Sequence, residues 1–570
     1  MFVKTTRRRR GDKTYEYLSL AESVRDGAKT RHRTLLRLGE VTALRRSGRL
    51  DRIVATLEKH LETERVDVGS LEADAAPAVG AVGAVACAAA LWGRLGLDGW
   101  FAAAGAERDA GRLADAVFAM AANRLVAPCS KRRLGEWAQA DVVMPESWQA
   151  PSPWQYYRAL DHVADLKEGT EEFLFARLCD LTSIDLKFVC CDLTSTYLEG
   201  ATSPSDRFES KAFGYSRDRR PDRPQIVIGL LCTGDGIPIA HHMFAGNTAD
   251  ASTLPDVLAD LTARFAVGRI CVVADRGLIS ADNVAAVAAA GCDHVLATRL
   301  HRDKACQEAL ETIDEGTQWA DVPNLRCRAA EAALADGTRA VIVESDARMR
   351  RDTNRTAELV ARTETALLAL EERVRCGRLV DAAKIGRAAQ RIIGQSGVGR
   401  LFDLDTGEGR FVYHYDQDAH AYEKLLAGRY VLTTSLTSQQ ASAERVVAAY
   451  RQLADAQARF RTLTDFGRLR PIRHWTEQRV RGHIAVCVYA AVAETLITRD
   501  LQTADIADPD LPDQHLTAAR ALRELDRIRE VRLRADAKPV TVTTRRSPLQ
   551  TQILAATATP TRHWDKARIG

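Results

Sequence analysis

This chain of 570 residues predicts an α/β fold built on a mixed sheet, with a helical region on its N-terminal side. Three observations carry that expectation. From about Arg45 to Asp180 apolar residues recur at helical spacing. At Leu186 the texture changes to short apolar runs between turns and helical stretches, in the order β-β-β-α-β-α-β to about residue 300. After a long interruption, "GRYVLTTSL" has the composition of a returning strand.

The length exceeds what one core supports and divides into roughly three or four domains. With 46% apolar and 27% charged residues, the chain is an ordinary globular protein and not a disordered or fibrous one. Its net charge of +4 is unevenly spread. Residues 1–50 hold 14 Lys and Arg against 5 Asp and Glu, which suits either a basic arm for a polyanion or a solvated basic tail. Within that segment, short alternating runs flank Asp26-Gly27, a turn pair suited to a hairpin, with Arg31, Arg33 and Arg37 on its second strand.

The helical region contains segments near Ala81–Leu95, Gly111–Arg124 and Pro153–Leu181. Ala75–Gly93 is uncharged, but it is mostly Ala and Gly and includes Pro77, so no membrane span is expected. No apolar segment follows the basic N-terminus, so a secretory signal is not supported. The 12 cysteines form no C-x-x-C pair and no Cys/His cluster at metal spacing, which fits reduced thiols in a cytoplasm.

The β-rich part begins with "LKFVCCDLTSTYLEG" and continues through "QIVIGLLCTGDGIPIAHHMF", two strands around Gly234-Asp235-Gly236. A helical stretch from Ser252 to Phe265, the run "RICVVADRG", a helix from Ser280 to Ala290 and the strand "HVLATR" follow. Two acids stand where an apolar strand ends, Asp192 and Asp275. Ends of buried strands face the functional crevice of α/β sheets, so the two acids could bracket a hard divalent cation such as Mg²⁺. Either acid alone is more often a helix cap or loop residue than a metal ligand. Six Lys and Arg between Arg207 and Arg223, including Arg217, Arg219 and Arg220, form a loop suited to phosphate or simply to solvent.

Residues 300–425 interrupt the pattern with a charged helical run near Arg355–Gln395 and β-like pieces such as "GRFVYHY". Then comes "AYRQLADAQARFRTLTDFGRLRPIRHWTEQRVRGH", Ala449–His483, whose first half is an arginine-rich amphipathic helix. At 100° per residue Tyr450, Leu453, Gln457, Arg461, Thr464 and Arg468 share one face, and Arg470 follows closely. That face holds cations and no acid. After about Thr498 the chain is polar and contains Pro, and a loosely packed tail is expected.

The motifs "CCDLTSTYLEG", "DRPQIVIGLL", "GIPIAHHMFAGNTAD", "VVADRGLISADNV" and the arginine-rich segment occur in the order found in DDE transposases of the IS4 superfamily. The chain most closely resembles the IS1634-type insertion sequence transposases, over roughly residues 10–500, including "NRLVAPCSKRRLGEW" and the N-terminal hairpin. The resemblance implies a ribonuclease H-like catalytic core in which Asp192 and Asp275 are metal-binding acids. It further implies Mg²⁺ or Mn²⁺ as cofactor, double-stranded DNA with terminal inverted repeats as partner, and a homodimer that pairs two DNA ends. Arg31, Arg33, Arg217, Arg219, Arg220, Tyr450, Arg461, Arg468 and Arg470 are the DNA-binding candidates.

The expected division is a basic arm over 1–50, a helical DNA-binding region over 51–180, the core in two parts over 181–300 and 431–500, an insertion over 301–430, and a tail over 501–570. Family insertions are largely β, so the charged helical run is a departure. A second departure bears on chemistry. The family pattern on the final helix is Tyr, then Arg three later, Glu four after that and Lys seven further on. From Tyr450 these positions hold Leu453, Gln457 and Thr464. Asp455 faces away from Gln457, Asp465 lies further along the helix, and Glu477, beyond Pro471, is the freer substitute. Three readings remain: an active transposase, a transposase-derived DNA-binding protein that does not cut, and a ribonuclease H-like nuclease without strand transfer.

Overall fold

The computed structural model describes residues 2–10, 13–26, 29–47, 78–108, 110–181, 188–199, 208–214, 220–249, 252–265, 270–274, 280–298, 303–314, 316–323, 325–461, 469, 472–535 and 538–561. The chain divides into two compact units. One is Met1–Ala73 with the short stretches Ala535–Ala537 and Ile569–Gly570, and the other is Asp74–Arg534 with Lys538–Arg568.

The first unit contains an antiparallel meander, β1 (Phe2–Arg10), β2 (Lys13–Asp26) and β3 (Lys29–Glu40), followed by the short helix Val41–Arg46. The β2–β3 register closes at Asp26↔Lys29, so the expected hairpin is present. The additional strand β1 was not readable, because the run of four arginines has no apolar alternation to mark it. Opposed charges hold the register: Arg7 pairs with Glu16 across β1–β2 and Arg33 with Glu22 across β2–β3, each at 2.7 Å. Such cross-strand pairs are worth about 0.2–1 kcal/mol each.

The second unit is organised by a nine-stranded sheet; its strands are numbered along the chain, Ala78–Ala81 being β4 and the hairpin Phe402–Gly407 and Arg410–Tyr415 being β13 and β14. Its centre is parallel, β5 (Phe188–Tyr197) beside β8 (Cys271–Ala274) and β8 beside β9 (Asp293–Ala297). The antiparallel strands β6 (Gln225–Thr233) and β7 (Pro238–Ala245) complete one side. On the other side, β10 (Ala320–Asp321), β11 (Arg328–Ala333) and β12 (Arg339–Glu344) join through β15 (Arg429–Thr434). The observed element order from 188 to 297 is the β-β-β-α-β-α-β expected. β6 is buried along its whole length, which its continuous apolar run requires of a strand covered on both faces.

Those two faces have different covers. Val189, Cys191, Val272 and Ala274 point to one side, against the helices Leu254–Arg264 and Ala281–Ala289. Cys190, Ile228, Leu230 and Val273 point to the other, with Val446, Val447, Ala449 and Leu453 of the arginine helix Ala443–Arg461. Residues between β9 and β15 contribute three strands to the main sheet but also the helices Asp346–Arg375 and Ala382–Ser396, which pack with a small hairpin, Phe402–Gly407 and Arg410–Tyr415. This region is thus mixed and not largely β.

Where residues are described, the region before the sheet is largely helical as expected, except that Ala78–Ala81 is a strand pairing antiparallel with Arg529–Ala535. Helices Gly83–Arg94, Leu97–Glu107, Leu113–Val126 and Pro153–Asp165 share one core with the long helix Glu477–Thr503. That helix is long and apolar enough to cross a membrane by length and composition, but 94% of its apolar stretch is buried inside the fold. It is buried on all sides because it serves two cores, Ile484 and Val488 facing the sheet and Val486 and Tyr489 facing the helices. A Cβ on Gly482 would lie 2.0 Å from the Leu160 carbonyl oxygen, so only glycine permits this approach to helix Pro153–Asp165.

The expected loose tail is a correction. Helix Ala518–Leu525 buries Ala518, Ala521, Leu522 and Leu525, and helix Pro548–Ala556 buries Ile553 and Leu554, all in the helical core. "AARALREL" repeats apolar residues at i, i+3 and i+4, a period that the polar residues between them concealed.

Candidate metal and nucleic-acid site

Strands β5 and β8 lie parallel and in register from Phe188↔Cys271 to Cys191↔Ala274. The next residue on the first strand is Asp192; the next after Ala274 is Asp275, which lies outside the described residues. Asp192 is half-buried and opposes Leu230 of β6. Directly opposed residues share a face, and Leu230 belongs to the core beneath the arginine helix. Side chains alternate along a strand, so Cys190 and Asp192 share that face while Cys191 takes the opposite one. Burial, and then the charge of Asp192, push the Cys191 thiol up to about 12, which leaves it an inert core group.

The helix that covers this face is anchored by Leu453, 2% exposed. Where the family pattern has an arginine, this chain has a core leucine, and full burial of such a side chain stabilises by about 1.5–3 kcal/mol. Gln457 stands one turn further on and is half-buried. Tyr450 is partly buried against the same core, its ring 5.8 Å from that of Tyr430 on β15. Arg461 is the last residue of the helix. Arg468 and Arg470 lie outside the described residues, as do Arg217 and Arg219. Among the described residues no three His, Cys, Asp or Glu side chains gather as a metal cage.

Arg220 is held elsewhere. Its guanidinium forks onto Asp222 at 2.8 and 2.9 Å and lies 5.1 Å from the Tyr197 ring. Tyr197 is five residues along β5 from Asp192, roughly 17 Å at strand rise. In the first unit, Arg31 pairs through its backbone with Val24, and Arg33 is exposed while paired with Glu22.

Glu477, the freer substitute for the third acid, is committed. Its carboxylate accepts from the Ser210 backbone N–H at 3.2 Å, from Ser210 Oγ at 3.0 Å and from Arg481 at 2.6 Å. Burial pushes its carboxyl up, but Arg481 and Ser210 outweigh that and hold it below the ordinary range. The neighbouring chain is also displaced from Asp192, because Ile472 bridges to Leu198, just past the end of β5.

Sequence reasoning missed a buried basic cluster at the start of helix Lys131–Glu136. Burial, with Arg124 adding, pushes Lys131 down to about 7, and His474 and His483 are likewise pushed down by burial and then by Lys131. The motifs "CSKRR" and "RHW" that carry it read as surface charge until the fold encloses them. For a lysine depressed in the folded state, the unfolded chain binds more protons between about pH 7 and its ordinary value near 10, so stability rises with pH across that window. Lys131→Met should remove that rise, as seen in urea titrations at the two ends of the window. An unchanged pH slope would show that Lys131 keeps an ordinary affinity for its proton.

Residues 3–68 match the family described as IS1634 family transposase, N-terminal domain, and residues 185–492 match the family described as Transposase DDE domain. Among solved structures, the cryo-EM structure of a piggyBac transposase synaptic complex with hairpin DNA is similar at 8% identity, covering 72% of this chain and 70% of that one, with a TM-score of 0.32. Comparison with curated proteins gives no match.

Proposed function

The chain belongs to the IS1634-type DDE transposases, and on that premise we propose that it acts on double-stranded DNA at the ends of an insertion sequence, by metal-dependent cleavage and strand transfer in a ribonuclease H-like core. The observation that carries this reading is the β5–β8 register. It ends one residue short of Asp192 on one strand and of Asp275 in the sequence of the other, and the face bearing Asp192 is the one covered by the arginine helix.

Carboxylate oxygens are the hard donors that Mg²⁺ or Mn²⁺ prefers, so Asp192 and Asp275 are the residues that would hold the metal. Bound there, such an ion supplies an activated water or 3′-hydroxyl and steadies the departing oxygen. The protein's share is positional. Arg461, Arg468 and Arg470 follow the half-buried Gln457 along the chain and would hold phosphates beside it. The arm over 1–50 and the helical region over 51–180 would grip flanking duplex. The core is read as 181–300 with 431–500, and 301–430 as its insertion. Pairing of two terminal inverted repeats calls for a homodimer, working in the cytoplasm.

A second reading, a DNA-binding protein derived from a transposase that no longer cuts, is favoured by Leu453 and Gln457. One is spent in the core and the other carries no charge. Both readings share duplex binding without metal. Gel shifts with the element's end sequences should show affinity falling by about 10³ or more between 50 and 200 mM salt, the loss typical of six to ten phosphate contacts. Binding that ignored salt or required Mg²⁺ would overturn this account. Cleavage of the same duplex with Mg²⁺ or Mn²⁺ separates the two readings.

A further inference from the structure

Large aromatic rings are normally buried, yet Trp475 is 72% and Trp154 63% exposed. Both belong to one corner of the second unit, where helix Pro153–Asp165 packs on the start of helix Glu477–Thr503. Trp154 lies in the first turn of the former helix, and Trp475 immediately precedes Thr476, the N-cap of the latter. Arg479 ties the two helices together. Its guanidinium is 5.7 Å from the Trp154 ring and 5.6 Å from the Tyr157 ring, and Asp161 fixes it at 3.2 Å. His474, beside Trp475, meets the Tyr157 ring edge-on at 6.2 Å. Gln478 donates to the Asp161 carbonyl at 3.3 Å, and the Gly482–Leu160 approach locks the crossing beneath. The rings thus stand on a rigid base.

The charge around them is positive. Arg158 and Arg473 are exposed on this corner, Arg479 and Arg481 lie within it, and Lys131 and Arg124 are buried close enough to depress His474. Asp161 is taken by Arg479 and Glu477 by Arg481, while Asp165 is bound by Gln478. Five arginines, with Lys131 only partly protonated near pH 7, face three carboxylates and leave a surplus for a polyanion. Along a duplex the base faces are stacked on one another and only phosphates and base edges are offered, whereas an unpaired base leaves its face free to stack on an exposed indole.

We propose that Trp475 and Trp154 form a stacking platform for unpaired bases of single-stranded DNA, with Arg473 and Arg158 taking the phosphates. The platform is distinct from the Asp192 face: Trp475 is three residues past Ile472, which bridges to Leu198, six residues along the β5 direction from Asp192 and so roughly 20 Å away along the strand. It rests on the reading that this chain handles DNA ends, where strands released by cleavage or opening would supply the ligand.

The test is fluorescence anisotropy with labelled oligo(dT) and, separately, a labelled duplex, using the full chain and the variants Trp154→Ala, Trp475→Ala, the double variant and Trp475→Phe. Each alanine should weaken oligo(dT) binding by about tenfold, Trp475→Phe should retain most of it, and duplex affinity should stay within about twofold in all. Both side chains are exposed, so circular dichroism should show unchanged folding. Oligo(dT) affinity unchanged in the double variant, or duplex and oligo(dT) affinity falling together, would overturn the proposal. A change in sedimentation of the double variant without DNA would reassign the face to contact between two copies of this chain. Duplex binding with no oligo(dT) binding by the unmodified chain would defeat the platform alone, and binding of neither would defeat the transposase reading as well.

Discussion

Gln457→Glu is expected to raise Mg²⁺-dependent nicking of element-end DNA by more than about 100-fold, since even residues that only orient metal ligands commonly count for 10–100-fold in affinity or activity. A site that concentrates divalent cations relies on carboxylates, and an amide carbonyl in the same place offers an oxygen without the charge. Gln457 follows core residue Leu453 by one turn on the helix that covers the Asp192 face, so the substitution adds charge without moving a packed group. Asp192→Ala in the Gln457→Glu background should return nicking to its starting level while duplex binding persists. Strong nicking by the unmodified chain would show that Gln457 suffices and would remove the basis for impairment. If metal affinity rises in Gln457→Glu but nicking does not, the defect passes to Leu453 or Thr464, positions where the family pattern carries cations.

Much of this was legible in the sequence because strand ends and helix periods are local signals. The runs "FVCC" and "CVVA" marked β5 and β8, and the acids after them marked where chemistry would be sought. The register that relates the two runs was not legible, because it depends on which strands become neighbours and not on either run alone. Glu477 illustrates the opposite failure. On sequence it was the least constrained acid near the arginine helix, but Ser210, 267 residues away in the chain, occupies it. In the arginine loop, Arg220 is bound by its neighbour Asp222, a pairing that spacing alone did not mark, while Arg217 and Arg219 lie outside the described residues. Nothing in the sequence set Trp154 and Trp475 apart, and only the packing of their helices shows them outside.

The second large effect concerns Glu171, whose replacement by Ala should cost about 3–5 kcal/mol of folding stability, the usual penalty for removing one partner of a buried ionic group. Glu171 is 2% exposed on helix Lys167–Leu181 and gathers Lys167 at 2.8 Å, Arg264 at 2.9 Å and the His241 ring at 2.7 Å. It also accepts from the His241 backbone N–H at 3.0 Å. Burial pushes its carboxyl up, but His241 and Lys167 outweigh that and bring it down to about 2. A folded-state value below the ordinary carboxylate value means stability that is present above about pH 4.5 and lost as the pH falls toward 2. Urea titrations should therefore show the native chain weakening between pH 4.5 and pH 2, with Glu171→Ala less stable at pH 7 but flatter across that window. A loss below about 1 kcal/mol at pH 7 would mean that Lys167 and Arg264 find other partners and that the network is not a clamp. The consequence reaches the candidate site through the sheet. His241 on edge strand β7 opposes Leu230 on β6, and Leu230 opposes Asp192, so the clamp fixes the row in which the first acid stands. Nicking by a Gln457→Glu chain that also carries Glu171→Ala should therefore fail at a lower temperature than nicking by Gln457→Glu alone, with equal rates where both are folded.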